Sequence, residues 1–91
     1  MLRLDLTKDA KKFLARLPSK HKKQVARKIE ELRANPQPHD SILMKNSTDT
    51  FRNTSGEYRI IYKFDDTALR ISIIGKRNDG EAYKAYKRKN R

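Results

Sequence analysis

Three arginines in the second half of the chain are spaced in a way that could grip a phosphodiester. Arg52 and Arg59 lie in a stretch with the pattern of two short strands. Arg77 follows a further strand, and Tyr83 comes six residues after it. Guanidinium groups bind phosphate through paired hydrogen bonds, and an aromatic ring can stack on a base. If these strands share one small sheet, the spacing predicts an RNA-handling site.

The balance of charge also indicates an anionic partner. The 91 residues include 23 Lys and Arg against 11 Asp and Glu, a formal net charge of +12. Folding does not require such an excess, so it points to nucleic acid first, an acidic protein second and an anionic membrane third. Many of these cations lie on the predicted helices, where the alternative interpretation is a solvated lysine face.

Several classes of protein are excluded. No apolar stretch approaches the roughly 18–20 residues of a membrane span. The alternation of charged and apolar residues over Met1–Leu6 predicts no signal peptide. The chain has no cysteine, which excludes disulfides, thiolate metal sites and cysteine nucleophiles and fits a cytoplasmic protein.

Hydrophobic periodicity predicts an α+β fold in a single domain over residues 1–91. A strand with alternating leucines comes first, followed by an antiparallel pair of helices at Lys8–Leu17 and Ser19–Ala34. Ile42–Met44 has the pattern of a short strand, and residues 80–91 that of a short basic helix or a tail. Short turns join the remaining strands into an antiparallel sheet of three to four strands, with the helices on one face: Thr50–Thr54, Tyr58–Phe64 and Ala68–Ile74.

Alternation along the strands assigns side chains to faces. Tyr58 and Tyr62 should point to one face, with Tyr62 in the core, while Arg59 points to the other. The alternative for Arg59 is a surface ion pair with Glu57 or an aspartate. In the last strand, Leu69, Ile71 and Ile73 are expected on one face.

Three further residues are interpreted as structural or exposed. Gly56 is expected to supply the positive φ of a tight hairpin. His21 and His39 have no acidic partner at catalytic spacing, so both are expected on the surface.

The order of elements and one motif resemble the RelE family of bacterial toxins from toxin–antitoxin pairs. The motif is Phe51-Arg52-x3-Gly56-x-Tyr58-Arg59-x2-Tyr62, then Gly75-Lys76-Arg77-x5-Tyr83. The resemblance implies a ribosome-dependent endoribonuclease that cleaves mRNA in the A site. It also implies inactivation by an acidic antitoxin in a hetero-oligomer. In that family the adjacent 2′-hydroxyl attacks the phosphate, which needs no metal and no cofactor.

The resemblance also implies a role for each site residue. Arg59 matches the arginine that stabilises the phosphate in the transition state, and Arg77 the one that assists the leaving 5′-oxygen. Tyr83 matches the tyrosine that orients the mRNA. Arg52, Lys45 and Lys76 are expected to bind the substrate.

Two positions depart from the family pattern. Thr54 stands where better known members carry a cation with an assigned base role, and Asp79 stands where some carry another arginine. Arginine itself stays protonated and is a poor base. No general base is therefore evident, and the candidates to replace it are Lys45, Lys76 or an ionised Tyr83.

Two other classes of function remain open. One is the gyrase-poisoning branch of the same fold, whose members bind protein and need no catalytic arginines. The other is a non-catalytic RNA-binding or ribosome-binding protein, for which positive charge alone would suffice.

Overall fold

The computed structural model describes residues 1–77, which form an α+β fold with two helices on one face of a five-stranded sheet. The strand order is β1-β5-β4-β3-β2. β1 runs parallel to β5 and the other neighbours are antiparallel. The predicted fold class is confirmed, and the predicted C-terminal helix lies outside the described residues. The elements are β1 Arg3–Leu6, α1 Lys8–Arg16, α2 Ser19–Ala34, β2 Ile42–Leu43, β3 Phe51–Ser55, β4 Tyr58–Phe64 and β5 Ala68–Lys76.

The two helices begin in different ways. Thr7 caps α1, because its side chain accepts a hydrogen bond from the Ala10 backbone N–H at 3.2 Å, and Asp9 lies in the first turn. α2 follows Pro18 with no side-chain cap and no acidic residue in its first turn. Neither helix in residues 1–77 has the length and apolar character needed to cross a membrane.

The main core lies between the helices and one face of the sheet. Tyr58, Ile60 and Tyr62 of β4 pack with the buried residues of the helices, as the alternation predicted. Tyr62 is fully buried, and its hydroxyl donates a hydrogen bond to the Pro36 carbonyl at 2.7 Å. The helix residues of this core are Ala10, Val25, Ile29 and Leu32.

A bulge in β5 corrects the predicted face of one strand. Ile61 pairs with Ile73, but the next residue of β4, Tyr62, pairs with Ile71, so Ser72 is an extra residue in β5. Beyond the bulge the parity of the strand changes. Leu69 and Ile71 therefore enter the helix-side core as expected, whereas Ile74 replaces Ile73 there. Thr7 uses the bulge, because its hydroxyl donates to the Ser72 carbonyl at 2.6 Å.

The turn between β3 and β4 depends on Gly56, as predicted. Ser55 pairs with Tyr58, which leaves a loop of Gly56 and Glu57. Gly56 has φ +58°, and Glu57 is not in the positive-φ region. This is the pattern of a type II′ turn, whose twist suits a hairpin. The turn sets the register that places Arg59.

Candidate functional site

The strand register gathers the predicted arginines on the face of the sheet opposite the helices. Arg59 lies between Thr54 of β3 and Gly75 of β5, so these three positions form one row. Arg52 pairs with Ile61 in the neighbouring row. Residues directly opposite each other in a sheet share a face, so Arg52 and Arg59 project to the same side. Gly75 contributes no side chain to this row.

Two adjoining hollows lie beside the arginines on the sheet face opposite the helices. The smaller, about 160 Å³, is bordered by Arg52, Thr54 and Arg59 together with the loop before β2. The larger, about 300 Å³, is bordered by Lys45, Arg52 and residues of β2. Both are bordered by Arg52 and Ile42, so they adjoin each other. Together we call them the cationic cleft, lined by Lys45, Arg52, Thr54 and Arg59.

Arg59 is a partly desolvated cation of the cleft. It is half-buried, and its Nε is buried with no hydrogen-bond partner among residues 1–77. The alternative of an ion pair with Glu57 or an aspartate is not realised within that range. Burial lowers the pKa of Arg59, and the charges of Arg52 and Arg77 lower it further. A guanidinium that lies beside two others and has no counter-charge in residues 1–77 would be stabilised by an anion.

Arg77 joins the cluster from the end of β5. Its backbone N–H donates to the Glu57 carbonyl at 3.0 Å, which ties it to the β3–β4 turn. Its side chain is exposed, and its charge acts on Arg59. The structure therefore brings Arg52, Arg59 and Arg77 together, as the spacing predicted.

The remaining predicted site residues are placed differently. Lys45 is exposed on the rim of the larger hollow. Lys76 pairs with Tyr58, so the register assigns it to the helix-bearing face of the sheet, away from Arg59. The positions of Tyr83 and Asp79 lie outside the described residues.

Asp40 is a cleft residue that the sequence pattern did not reveal. It borders the smaller hollow, where its carboxylate accepts hydrogen bonds from Asn53 Nδ2 at 3.2 Å and Lys28 Nζ at 3.5 Å. The Asn53 hydrogen bond is the main cause that lowers the pKa of Asp40, and Lys28 assists. Asp40 therefore forms an ion pair with Lys28 and accepts a hydrogen bond from Asn53, and it forms no ion pair with Arg52 or Arg59. In the sequence, the prolines near Asp40 predict a loop. They do not predict that this loop contacts β3.

His21 is not the free surface residue that was predicted. It is half-buried, and its Nδ1 lies 2.6 Å from the Tyr58 hydroxyl. The Tyr58 ring also meets Phe13 edge to face, with centroids 5.9 Å apart. A long-range contact of this kind leaves no mark on local spacing. His39 is exposed, as predicted.

The chemistry available in the cleft is therefore fixed positive charge. Within residues 1–77, no three His, Asp or Glu side chains are placed to hold a metal ion. Guanidinium groups stay protonated at all physiological pH values, so they oppose negative charge without titrating. A cleft lined by Arg52 and Arg59, with Arg77 close to Arg59, can bind a phosphate and stabilise extra charge that develops on it.

Comparisons with known proteins agree with this description. The family model for the ParE toxin of type II toxin–antitoxin system, parDE, matches residues 4–80. The isolated RelE toxin of E. coli matches the fold with TM-score 0.76 and 25% identity, over 97% of this chain and 98% of RelE. No curated protein sequence matches the chain significantly.

Two toxin–antitoxin complexes match as well. In the archaeal RelE–RelB complex from Pyrococcus horikoshii OT3, the matching chain gives TM-score 0.73 and 26% identity, over 85% of this chain and 96% of that one. In the RelBE2 complex of Mycobacterium tuberculosis the values are 0.70 and 25%, over 84% and 98%. The resemblance to the RelE/ParE superfamily is thus confirmed. The chain belongs to the ParE toxin family of type II toxin–antitoxin systems and has the fold of RelE toxins.

Proposed function

We propose that this toxin is a ribosome-dependent endoribonuclease that cleaves mRNA in the A site and so stops translation. The observation that carries the proposal is Arg59, whose half-buried side chain lies beside Arg52 and Arg77 and whose Nε has no hydrogen-bond partner among the described residues. A protein-binding surface has no need to hold three like charges together with no counter-charge from residues 1–77. A site for a phosphodiester does, because the substrate brings the missing negative charge.

The proposed reaction is attack of an RNA 2′-hydroxyl on the adjacent phosphate, with release of the 5′-oxygen. Negative charge grows on the phosphorane oxygens, where Arg59 stabilises it, and on the leaving oxygen, which Arg77 assists. Arg52 and Lys45 hold the flanking phosphates along the cleft, and Tyr83 orients the mRNA. Removing one donor of this kind costs about 3–4 kcal/mol of transition-state stabilisation, or about 10²–10³ in rate.

We assign no general base at Thr54. It is exposed in the same row as Arg59, and its hydroxyl is far too weak an acid and base to take a proton at neutral pH. We infer that the enzyme works chiefly by positioning the RNA and by opposing charge, with geometry contributed by the ribosome. This requires no metal and no cofactor.

An acidic antitoxin is the proposed regulator. Solved relatives include RelE–RelB complexes, in which the toxin is bound by its antitoxin. An acidic segment would neutralise the cationic cleft and exclude RNA from it. The proposed location is the cytoplasm, where both ribosomes and mRNA are present.

The test is inducible expression in bacteria of the wild type, Arg77→Ala and Arg70→Ala. Arg70 is the matched control, because it is an exposed arginine of β5 that forms ion pairs with Asp5 and Asp65 outside the cleft. Growth and the positions of new mRNA 5′ ends are followed. We expect growth arrest with new ends inside reading frames for the wild type and Arg70→Ala, and loss of both for Arg77→Ala.

A second candidate is supported by the family model, which describes ParE toxins. It is a toxin that acts by binding DNA gyrase, with no chemistry at the arginines. In that case growth arrest occurs without new mRNA ends and persists in Arg77→Ala. Supercoiling by purified gyrase with and without the toxin then decides directly.

A further inference from the structure

The short strand β2 exposes apolar surface at the edge of the cationic cleft. Ile42 is 51% exposed and Leu43 is 47% exposed, and Met1 is the one other large apolar residue of residues 1–77 that is exposed. Single apolar side chains on a protein surface are ordinary, so exposure alone indicates no function. The position of Ile42 beside the arginines is what carries the argument.

The register of β2 assigns its two apolar side chains to opposite faces of the sheet. Ile42 pairs with Arg52, and Leu43 pairs with Phe51. Residues directly opposite each other share a face, with Cβ atoms about 4.5–5.5 Å apart. Ile42 therefore stands next to Arg52 on the cleft face, and it borders both hollows. Leu43 also borders the larger hollow, but its pairing assigns its side chain to the face of Phe51.

The segments on both sides of β2 hold Ile42 in place. After the strand, Met44 is 4% exposed, and its backbone N–H donates to the Thr50 carbonyl at 2.7 Å. Before the strand, the N–H and the hydroxyl of Ser41 both donate to the Pro38 carbonyl, at 3.0 and 2.7 Å. A side chain on a fixed backbone loses little conformational freedom when a ligand covers it, so more of its contact energy contributes to affinity.

The surroundings of Ile42 distinguish between possible ligands. A helix that docks in a groove needs a row of apolar contacts, and an added strand needs alternate apolar contacts along one face. On the cleft face of β2, β3 and β4, Ile42 is the one large apolar side chain that is exposed, because Ile61 is fully buried. Arg52 and Lys45 border the same hollow. One apolar side chain between cations fits a nucleobase, which has a flat face for stacking and anionic phosphates on either side.

We infer that Ile42 is a base-contacting residue of the cleft, whose side chain supports the face of one RNA base while Arg52 and Arg59 hold an adjacent phosphate. A base and its phosphate are joined through one ribose, so neighbouring side chains can contact both. Proteins hold unpaired bases against aromatic or apolar side chains in this way. The contact sets the register of the RNA strand in the cleft and so decides which phosphate meets Arg59. The choice of RNA as the ligand rests on the proposed function.

The first test measures the affinity of the full-length protein for a single strand of about 8 nucleotides of 2′-O-methyl RNA. This RNA has no 2′-hydroxyl, so binding is measured without cleavage. Ile42→Ser is compared with Leu43→Ser, which removes a similar apolar group from the same strand but on the other face. We expect Ile42→Ser to lower affinity about 5- to 10-fold, because about half of its side chain remains to be buried on binding, and Leu43→Ser to change affinity less than about 2-fold. Equal affinities of the two variants overturn the inference.

Salt dependence separates an apolar contact from a phosphate contact. Ile42→Ser should weaken RNA binding by the same factor at about 50 and about 200 mM salt, whereas Arg52→Gln should flatten the plot of log affinity against log salt by about 0.7. Inorganic polyphosphate and polyglutamate carry negative charge but no bases. Both should bind Ile42→Ser as tightly as the wild type. A loss of polyglutamate binding equal to the loss of RNA binding would indicate a protein ligand at Ile42 and overturn the inference.

A fluorescence signal makes the test independent of lost folding. The chain has no tryptophan, so Ile42→Trp and Leu43→Trp each introduce a single indole. A base that stacks on the indole should quench the fluorescence of Ile42→Trp and leave that of Leu43→Trp unchanged. Ile42→Trp should also bind the RNA at least as tightly as the wild type, because an indole is a better stacking surface than isoleucine. Equal quenching of the two variants, or no quenching of Ile42→Trp, overturns the inference.

Cleavage of mRNA on the ribosome separates this inference from the proposed function. If Arg77→Ala abolishes cleavage while Ile42→Ser cleaves and binds RNA as Leu43→Ser does, the nuclease stands and the inference fails. If the wild type cleaves no mRNA, but Ile42→Ser alone loses RNA affinity and Ile42→Trp is quenched by RNA, the nuclease is refuted and the base contact stands.

Discussion

Replacing Arg59 with methionine is expected to stabilise the free protein while it abolishes RNA cleavage. Methionine keeps an unbranched side chain of similar reach but removes the charge and the orphaned Nε. Arg59 is half-buried, with no counter-ion in residues 1–77 and with Arg52 and Arg77 as neighbours. Within residues 1–77 the fold therefore holds this guanidinium at a cost that no counter-charge offsets, and a bound anion would offset it.

The size of the effect follows from the state of that side chain. A buried polar group without a partner costs about 1–3 kcal/mol. Within residues 1–77, Nε is the one atom of Arg59 that is both buried and unpaired, so the lower end of that range applies. We expect a gain of about 1 kcal/mol, which corresponds to a rise of about 4–8 °C in melting temperature for a domain of this size. Repulsion from Arg52 and Arg77 adds to the gain and is screened by salt.

The assay is thermal unfolding of the wild type, Arg59→Met and Arg70→Met at low and high salt. Arg70 is exposed and paired, so its replacement should leave stability unchanged or lower it by less than about 1 kcal/mol. The advantage of Arg59→Met should shrink as salt rises. A loss of about 1 kcal/mol or more in Arg59→Met would show that this side chain supports the fold, and the reasoning about an unpaired charge would be wrong.

Three further changes test the structure around the site. Asp65 accepts backbone hydrogen bonds from Thr67 and Ala68 that hold its pKa at about 2, so its stabilising effect is present above about pH 4 and lost between pH 4 and 2; unfolding curves should therefore favour the wild type over Asp65→Asn at pH 6 and converge near pH 2. Burial raises the pKa of Tyr62 to about 12, so the wild type should lose stability between pH 10 and 12, whereas Tyr62→Phe should not. At pH 7 the variant should be less stable than the wild type by about 1 kcal/mol, because it lacks the hydrogen bond to Pro36. If the free energies of unfolding of both proteins fall equally between pH 10 and 12, the burial argument is wrong. Gly56→Ala should cost about 1–2 kcal/mol in urea unfolding, because alanine is strained at φ +58°, and Gly56→Asn should cost less; equal costs would indicate that contact with Gln24, not φ, limits this position.

The elements were predictable where local signals agreed with long-range packing. Pro18 and Asn35-Pro36 bracket a helical repeat, and the observed α2, Ser19–Ala34, has the predicted bounds. β4 also has its predicted bounds, Tyr58–Phe64, because aromatic and β-branched residues alternate between two turns. Alternation then placed Arg59 on the face opposite Tyr58, which is the step that located the cleft.

The errors arise where the sequence is locally ambiguous. Ile73 and Ile74 are both apolar, so either could enter the core, and the parity change at Ser72 decides between them. The hydrogen bond to the bulge comes from Thr7, which lies 65 residues away along the chain. Asp40 and His21 are similar cases, since their partners lie 13 and 37 residues away. Hydrophobic periodicity reflects neighbours along the chain, so it cannot predict contacts between residues that are this far apart in sequence.

Positive charge that residues 1–77 leave without a counter-charge raises the energy of the free protein, and a bound anion lowers it. The arginines of the cleft repel one another, and the lysines at the start of α2 oppose their own helix. Any polyanion that binds the folded chain but not the unfolded one stabilises it by mass action. In the proposed system, RNA phosphates and antitoxin carboxylates supply the same missing charge, so they compete even where their contact residues differ. Inhibition then requires only that the antitoxin neutralise the cleft first, and a toxin freed from its antitoxin is driven towards RNA by the repulsion that the antitoxin had relieved.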